Sequence, residues 1–403
     1  MNSPAHAGAT GVGVVYLDHA ATTPVRPEAI EAMAPFLRGT FGNPSGSHSV
    51  ARAAKTALED AREEVAALLG AQPGEVVFTA GGTEADNLAV KGAARRARAT
   101  GGAGGGRSGV VTSAFEHKGV LVSCDRLAAD GFRVTRVPVP TTGVVDPEAV
   151  VAAVDDRTAL VSVMLVNNEV GTIQPLGEIA RRVRERAPDV VVHTDAVQAV
   201  PWIDVAEAAA GVDLVAISAH KFGGPKGTGA LVARGGVALE PLVEGGGQER
   251  GLRSGTSNVA GAVAMAVALR VTCAERAADV ARIALLRDRL LDGLLAAVPG
   301  AFENGDRAAK IAGNAHLGFR GVEAETLLVA LDRADLCAAA GSSCSSGATD
   351  PSHVLAAMGI SRDDALSSIR LSLGFASTDV DVDVALAVIP RAVEQLRRAG
   401  AAA

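Results

Sequence analysis

Across residues 17–267, short runs of apolar, β-branched residues alternate with amphipathic stretches rich in Ala, Arg and Glu. Runs at 76–78, 109–111, 159–166, 190–193, 212–217 and 230–233 are predicted strands, and helical spacing marks 49–69, 83–99, 120–130 and 175–186 between them. Strands that are continuously apolar are buried on both faces. The chain is therefore expected to build an α/β fold around a doubly wound, mostly parallel sheet. After residue 258 the pattern changes to a long helix at 259–298, a strand at 313–319 and helices at 323–331 and 379–398. This predicts a large domain at 15–260 and a smaller α+β domain at 261–403, which residues 1–14 could adjoin. The glycine-rich stretch 100–109 reads as a surface loop.

A net charge of −7 leaves no basic footprint, so no direct nucleic-acid ligand is expected. No apolar run approaches the roughly 20 residues that span a bilayer. The first residues lack the basic start and apolar core of a secretory leader, which makes the cytoplasm the expected location. Cys124, Cys273, Cys337 and Cys344 form no C-x-x-C pair and show no zinc spacing, so no resident metal is expected. The first three lie in helical or apolar settings and read as structural. Cys344 stands in a run of Ser, Gly, Ala and Thr with almost nothing to bury, the setting of a reactive thiol.

The chemistry-bearing residues collect just after the predicted strands, where open α/β sheets place their sites. Lys221 follows the run at 212–217 in a Gly/Pro-rich turn, and the chain has only six lysines against thirty-two arginines. An arginine cannot shed its proton; a desolvated lysine can, and then condenses with a carbonyl. Gly81, Gly82 and Thr83 join a strand to a helix start, whose unpaired N–H groups suit a phosphate, although Thr83 equally suits a plain N-cap. Asp195 follows another strand, placed to pair with a cationic ring nitrogen or to cap the next segment. His117 can stack on a ring and move protons, or be a satisfied core histidine; His193, within a strand, reads as structural. Asn167 and Asn168 offer amides to a ring substituent or a turn. Arg370, alone in an apolar run, can clamp a carboxylate or form an internal ion pair. Phosphate cradle, stacking imidazole, amide, acid and amine, in this order, together describe a site for pyridoxal 5'-phosphate.

These motifs closely resemble the cysteine desulfurases among the aminotransferase class-V-like pyridoxal phosphate enzymes. The likeness extends to Tyr16 through Pro24, Gly42-Asn43-Pro44-Ser45, Arg250 through Thr256 and the Cys344 segment. It implies a fold-type I enzyme with a large cofactor domain and a small domain carrying the active cysteine. Gly82, Thr83, Ser218 and His220 would bind the phosphate; Asn168, Asp195 and Gln198 would hold the ring, with His117 over it and Lys221 as the covalent anchor. Thr256 would reach the partner's phosphate in a homodimer, and Arg370 with Asn43 would hold the substrate carboxylate. L-Cysteine would become L-alanine, leaving a persulfide on Cys344 for a protein acceptor in iron-sulfur cluster assembly or nucleic-acid thiolation. The run 345–353 resembles the branch with an extended active loop, and Cys344 could also serve as a transient iron-sulfur ligand. A selenocysteine lyase and a non-catalytic sulfur-system scaffold of the same fold are the alternatives.

Overall fold

The computed structural model describes residues 13–100, 106–341 and 350–401. In chain order the first part runs β1 (Val15–Tyr16), α1 (Pro27–Arg38), α2 (Ser49–Leu68), β2 (Val76–Thr79), α3 (Gly82–Asn87), a π turn at Leu88–Gly92 and α4 (Ala93–Ala99). It continues with β3 (Gly109–Ser113), α5 (Lys118–Ala129), β4 (Arg133–Val137), α6 (Pro147–Ala152), β5 (Thr158–Ser162), α7 (Leu176–Arg186), β6 (Val191–Asp195), α8 (Val205–Ala208), β7 (Leu214–Ser218) and β8 (Gly229–Ala233). Then follow α9 (Val259–Ala297), β9 (Ala301–Glu303), β10 (Asn314–Phe319), α10 (Ala324–Asp332), β11 (Leu336–Cys337), α11 (His353–Ala357), α12 (Arg362–Leu366), β12 (Ser368–Ser372) and α13 (Asp379–Ala401).

Seven strands form one sheet in the order β2-β8-β7-β6-β5-β3-β4. The pairs from β7 to β4 are parallel, and β8 alone runs against its neighbours. Every residue of β3, β5, β7 and β8 is buried, as the apolar runs require of a sheet covered on both faces. The pairing of β5 stops at Ser162, short of the expected 166. Beyond it, Val163 and Leu165 still donate to the carbonyls of His193 and Asp195.

A smaller antiparallel sheet, β12-β10-β9, anchors a second core. Helix α9, 39 residues long, serves both cores. Met265 and Leu269 pack in the first, Leu290 and Leu294 in the second. At 1.5 Å rise per residue it spans roughly 58 Å. The second core also takes Leu17, while Val354, Leu355 and Met358 pack into the first. β1 pairs in parallel with β11, so the two cores exchange segments from opposite ends of the chain. Among the described residues no helix is long and apolar enough to cross a membrane.

Candidate functional site

The parallel strands end on one side of the sheet, and the segments that follow them converge on a cleft enclosing about 900 Å³, its open mouth included. Lys221 reaches it from a single 3-10 turn after β7, where Gly224 folds back to donate to the Ala219 carbonyl at 2.8 Å. Its Nζ donates to the carbonyl of Ala20 and, at 2.8 Å, to that of Ala21. The segment between β1 and α1 thus supplies a wall of the cleft. Gln198 donates to the same Ala20 carbonyl at 2.8 Å.

At one end lie Gly82, Thr83, Ser218 and His220. Gly82 opens α3 where a Cβ would come within 2.6 Å of Val197 Cγ2, so a side chain is excluded from the turn. His220 Nδ1 meets Thr22 Oγ1 at 3.2 Å, and burial, helped by Lys221, lowers its pKa to about 4. A neutral imidazole, hydroxyls and helix-start N–H groups make an anion cradle by hydrogen bonding.

At the other end, Asp195 terminates β6 with 5% exposure, and its Oδ1 accepts from the Val197 amide at 2.9 Å. Burial raises its pKa against the opposing pull of His117 and Lys221. His117 caps α5: its Nδ1 accepts from the Gly119 amide at 3.0 Å, which leaves the proton on Nε2. Burial lowers the pKa of this imidazole despite the nearby Asp195, so it is neutral near pH 7. Asn168 lines the cleft, and its buried Oδ1 has no hydrogen-bond partner. Such an unsatisfied acceptor fits a missing donor.

Arg370, on β12, is 1% exposed and borders the cleft. Its Nη2 meets Asp18 Oδ1 at 2.8 Å, its Nη1 donates to the Asn168 carbonyl at 2.7 Å, and its Nε has no partner. The internal ion pair and the cleft-facing cation are therefore the same residue. Asn43 and Thr256 do not join them. Both are exposed and outside the cleft lining, and Asn43 Oδ1 accepts from the Ser45 amide at 3.0 Å. Cys344 lies outside the described residues.

Sequence reasoning gave no role to several residues gathered here. Asp86 and Glu169 line the cleft, and Glu116, just before His117, is fully buried. Ser352 donates to Glu169 Oε2, and Gly341 packs against the same carboxylate, so Gly341 and Ser352 meet on one buried acid. His353 also borders the cleft, with its Nε2 2.9 Å from the Glu116 carbonyl. His193 is fully buried on β6 against Ser162 Oγ at 2.9 Å, in keeping with a structural reading.

The residues fit pyridoxal phosphate: a donor-rich cradle, an unsatisfied amide, a buried acid and a lysine amine border one cleft of suitable size. The aminotransferase class-V family matches residues 15–385. The "IscS-like cysteine desulfurase" of Mycobacterium tuberculosis is 48% identical over 97% of this chain and 99% of its own. A solved "NifS-like protein" superposes with a TM-score of 0.88 at 36% identity, covering 95% of this chain and all of that one. A structure described as "SspA in complex with cysteine" superposes at 0.77 with 33% identity, over 89% of this chain and 98% of the other.

Proposed function

The chain belongs to the cysteine desulfurases of the aminotransferase class-V family, and on that premise we propose that the cleft takes L-cysteine, passes its sulfur to Cys344 and releases L-alanine. The observation that carries this reading is the convergence of Gly82, Thr83, His117, Asn168, Asp195, Ser218, His220 and Lys221 on one cleft bordered by a buried arginine. Pyridoxal phosphate, bound there, supplies an electron sink for the bonds at the substrate's α- and β-carbons. The N–H groups at Gly82 and Thr83, with Ser218 and His220, would hold its phosphate. Asp195 would hold the ring nitrogen and His117 the face of the ring, with Asn168 and Gln198 fixing its orientation. Lys221 would anchor the cofactor through Nζ and would move the proton at the substrate's Cα. The guanidinium of Arg370, with Nε unengaged, receives the substrate carboxylate.

In the transfer itself the Cys344 thiolate attacks the substrate sulfur. An S–S bond forms, the C–S bond breaks, and the carbon takes up a proton. One L-cysteine and one thiol thus yield one L-alanine and one persulfide. The persulfide is then delivered to a protein acceptor, in iron-sulfur cluster assembly or nucleic-acid thiolation. A homodimer is supported by the exposure of Ile30, Leu37 and Phe41 along and just beyond α1, and by the position of Asn43 and Thr256 outside the cleft of their own chain.

The test is to incubate cofactor-loaded protein with L-cysteine and follow alanine and persulfide, beside Cys344→Ser and Lys221→Ala. Alanine that appears with a persulfide on Cys344, and falls at least ~100-fold in both variants, is the expected result. Alanine formed equally without Cys344 would remove the thiol from the mechanism. A strong preference for selenocysteine would turn the assignment to a lyase.

A further inference from the structure

Asp86 lies on α3, two residues before the π turn at Leu88–Gly92. Its side chain borders the cofactor cleft, yet the residue is only 1% exposed, and Oδ1 has no hydrogen-bond partner. One oxygen of Asp86, one of Asp195 and one ring nitrogen of His117 all lie within 4.8 Å of one another. Behind Asp86, His193 Nε2 is 3.6 Å from Oδ1 and also lacks a hydrogen bond. The groups facing Asp86 are thus Asp195 and His193 from β6, and Glu116 and His117 at the head of α5.

None of these neutralises a second anion. His193 is held uncharged, its pKa lowered by burial to about 3, and His117 is pushed down as well. Two buried carboxylates this close do not both ionise. The asymmetry of their partners selects which one does. Asp195 accepts a backbone N–H and feels Lys221, whereas Asp86 Oδ1 receives no donor. Burial first, then Asp195 and Glu116, raise the Asp86 pKa well above the ordinary carboxylate range.

We propose that Asp86 is a positioning residue for the cofactor's ring nitrogen: Asp86 and Asp195 hold one proton between them, Asp86 keeps it, and a single negative charge on Asp195 faces the ring. This rests on the reading that Asp195 is the ring-nitrogen partner. With Asp86 neutral, the charge of Asp195 matches that of a protonated ring nitrogen. When Asp86 ionises at higher pH, a second negative charge arrives beside the ring and strengthens the hold on its protonated form.

The proton is detectable without cofactor. Protein carrying carboxyl-13C aspartate, in which Glu116 and Glu169 are silent, is titrated by isotope-edited infrared spectroscopy in its cofactor-free form. One aspartic acid carboxyl should remain protonated at pH 7, and Asp86→Asn should abolish that signal. Its absence from the wild type, or its persistence in Asp86→Asn, overturns the proposal. Should Asp86→Asn not fold, Asp86→Ser carries the same comparison. The second readout is pyridoxal phosphate affinity between pH 6 and pH 9. The ratio of affinities across that range should shrink by about tenfold in Asp86→Asn, equivalent to one unit of coupling, and recover in Asp86→Glu. An unchanged ratio overturns the link to the ring. A wild type that binds no pyridoxal phosphate defeats the cofactor reading, while the infrared result still decides where the proton sits.

Discussion

Glu116 accepts from Ser113 Oγ and, at 2.9 Å, from the Met164 amide, both on Oε1, while Oε2 is buried without a partner. Burial, reinforced by Asp195, raises its pKa to about 8 from an ordinary 4.5. The folded protein therefore keeps a proton that the unfolded chain gives up. The stabilising effect is fully present below about pH 4.5 and is lost as pH rises toward about 8. Glu116→Gln preserves the accepting oxygen and cannot ionise. Its urea midpoint should lie close to wild type at pH 5 and exceed it at pH 8 by a margin worth ~4 kcal/mol. Parallel curves at the two pH values would show that Glu116 is already ionised in the fold. Lys221, Asp195 and His117 are legible in the sequence because a strand end announces each of them. Asp86, Glu116 and Glu169 are not, since an acid in a turn or a helix start resembles a solvated charge until packing covers it. The Arg370 reading needed structure for another reason: its partner, Asp18, is distant in sequence.

At the scale of elements, the cradle depends on a side chain that is missing. Gly229 opens β8 opposite Thr79 on β2 and Ser218 on β7. A Cβ there would stand 2.7 Å from both Cα and C of Gly81 and 2.8 Å from the Ile217 carbonyl oxygen, all of them backbone. Gly229→Ala must therefore displace the turn that carries Gly82 and Thr83. A stability loss of about 1–3 kcal/mol is expected, with pyridoxal phosphate affinity falling at least ~10-fold; titration of the cofactor alongside urea unfolding separates the two effects. An affinity equal to wild type would mean that the turn does not hold the phosphate. The buried strands were readable because both faces of each are apolar. β4 escaped because it is an edge strand, Arg133–Val137, that interleaves two exposed arginines with its valines. α1 escaped for a different reason, having Pro27 at its start and Pro35 inside. The π turn within 83–99 leaves no mark in helical spacing, and it lies beside Asp86.

For the whole molecule, the exposed apolar face on α1 is a feature that a single chain does not use. Ile30 and Leu37 lie two turns apart on α1, and Phe41 just beyond it is 72% exposed. Phe41→Asp should shift the protein from dimer to monomer in light scattering after gel filtration. Cofactor retention should fall with it if Thr256 serves the neighbouring site. A dimer that survives the change would place the interface elsewhere. The change of pattern near residue 258 coincides with the start of α9, whose first turns, Met265 and Leu269 among them, still pack in the first core. It did not reveal that α9 runs unbroken through both cores, because helical spacing records that a face is apolar and not which core receives it.

The pairing of β1 with β11, and of Asp18 with Arg370, also bears on how the protein is made. Leu17 leaves the ribosome more than 300 residues before Leu336, Leu371 and Val393, which share its core. At about 5–20 residues per second, tens of seconds separate their emergence. Throughout that interval the nascent chain carries an apolar strand with no partner. The cleft wall at Ala20 and Ala21, which receives Lys221, gains the bond from the Ala20 amide to Ser372 Oγ only when the last strand is released. The cleft can thus be completed only once β12, which carries Arg370, has been released, however early the large sheet assembles.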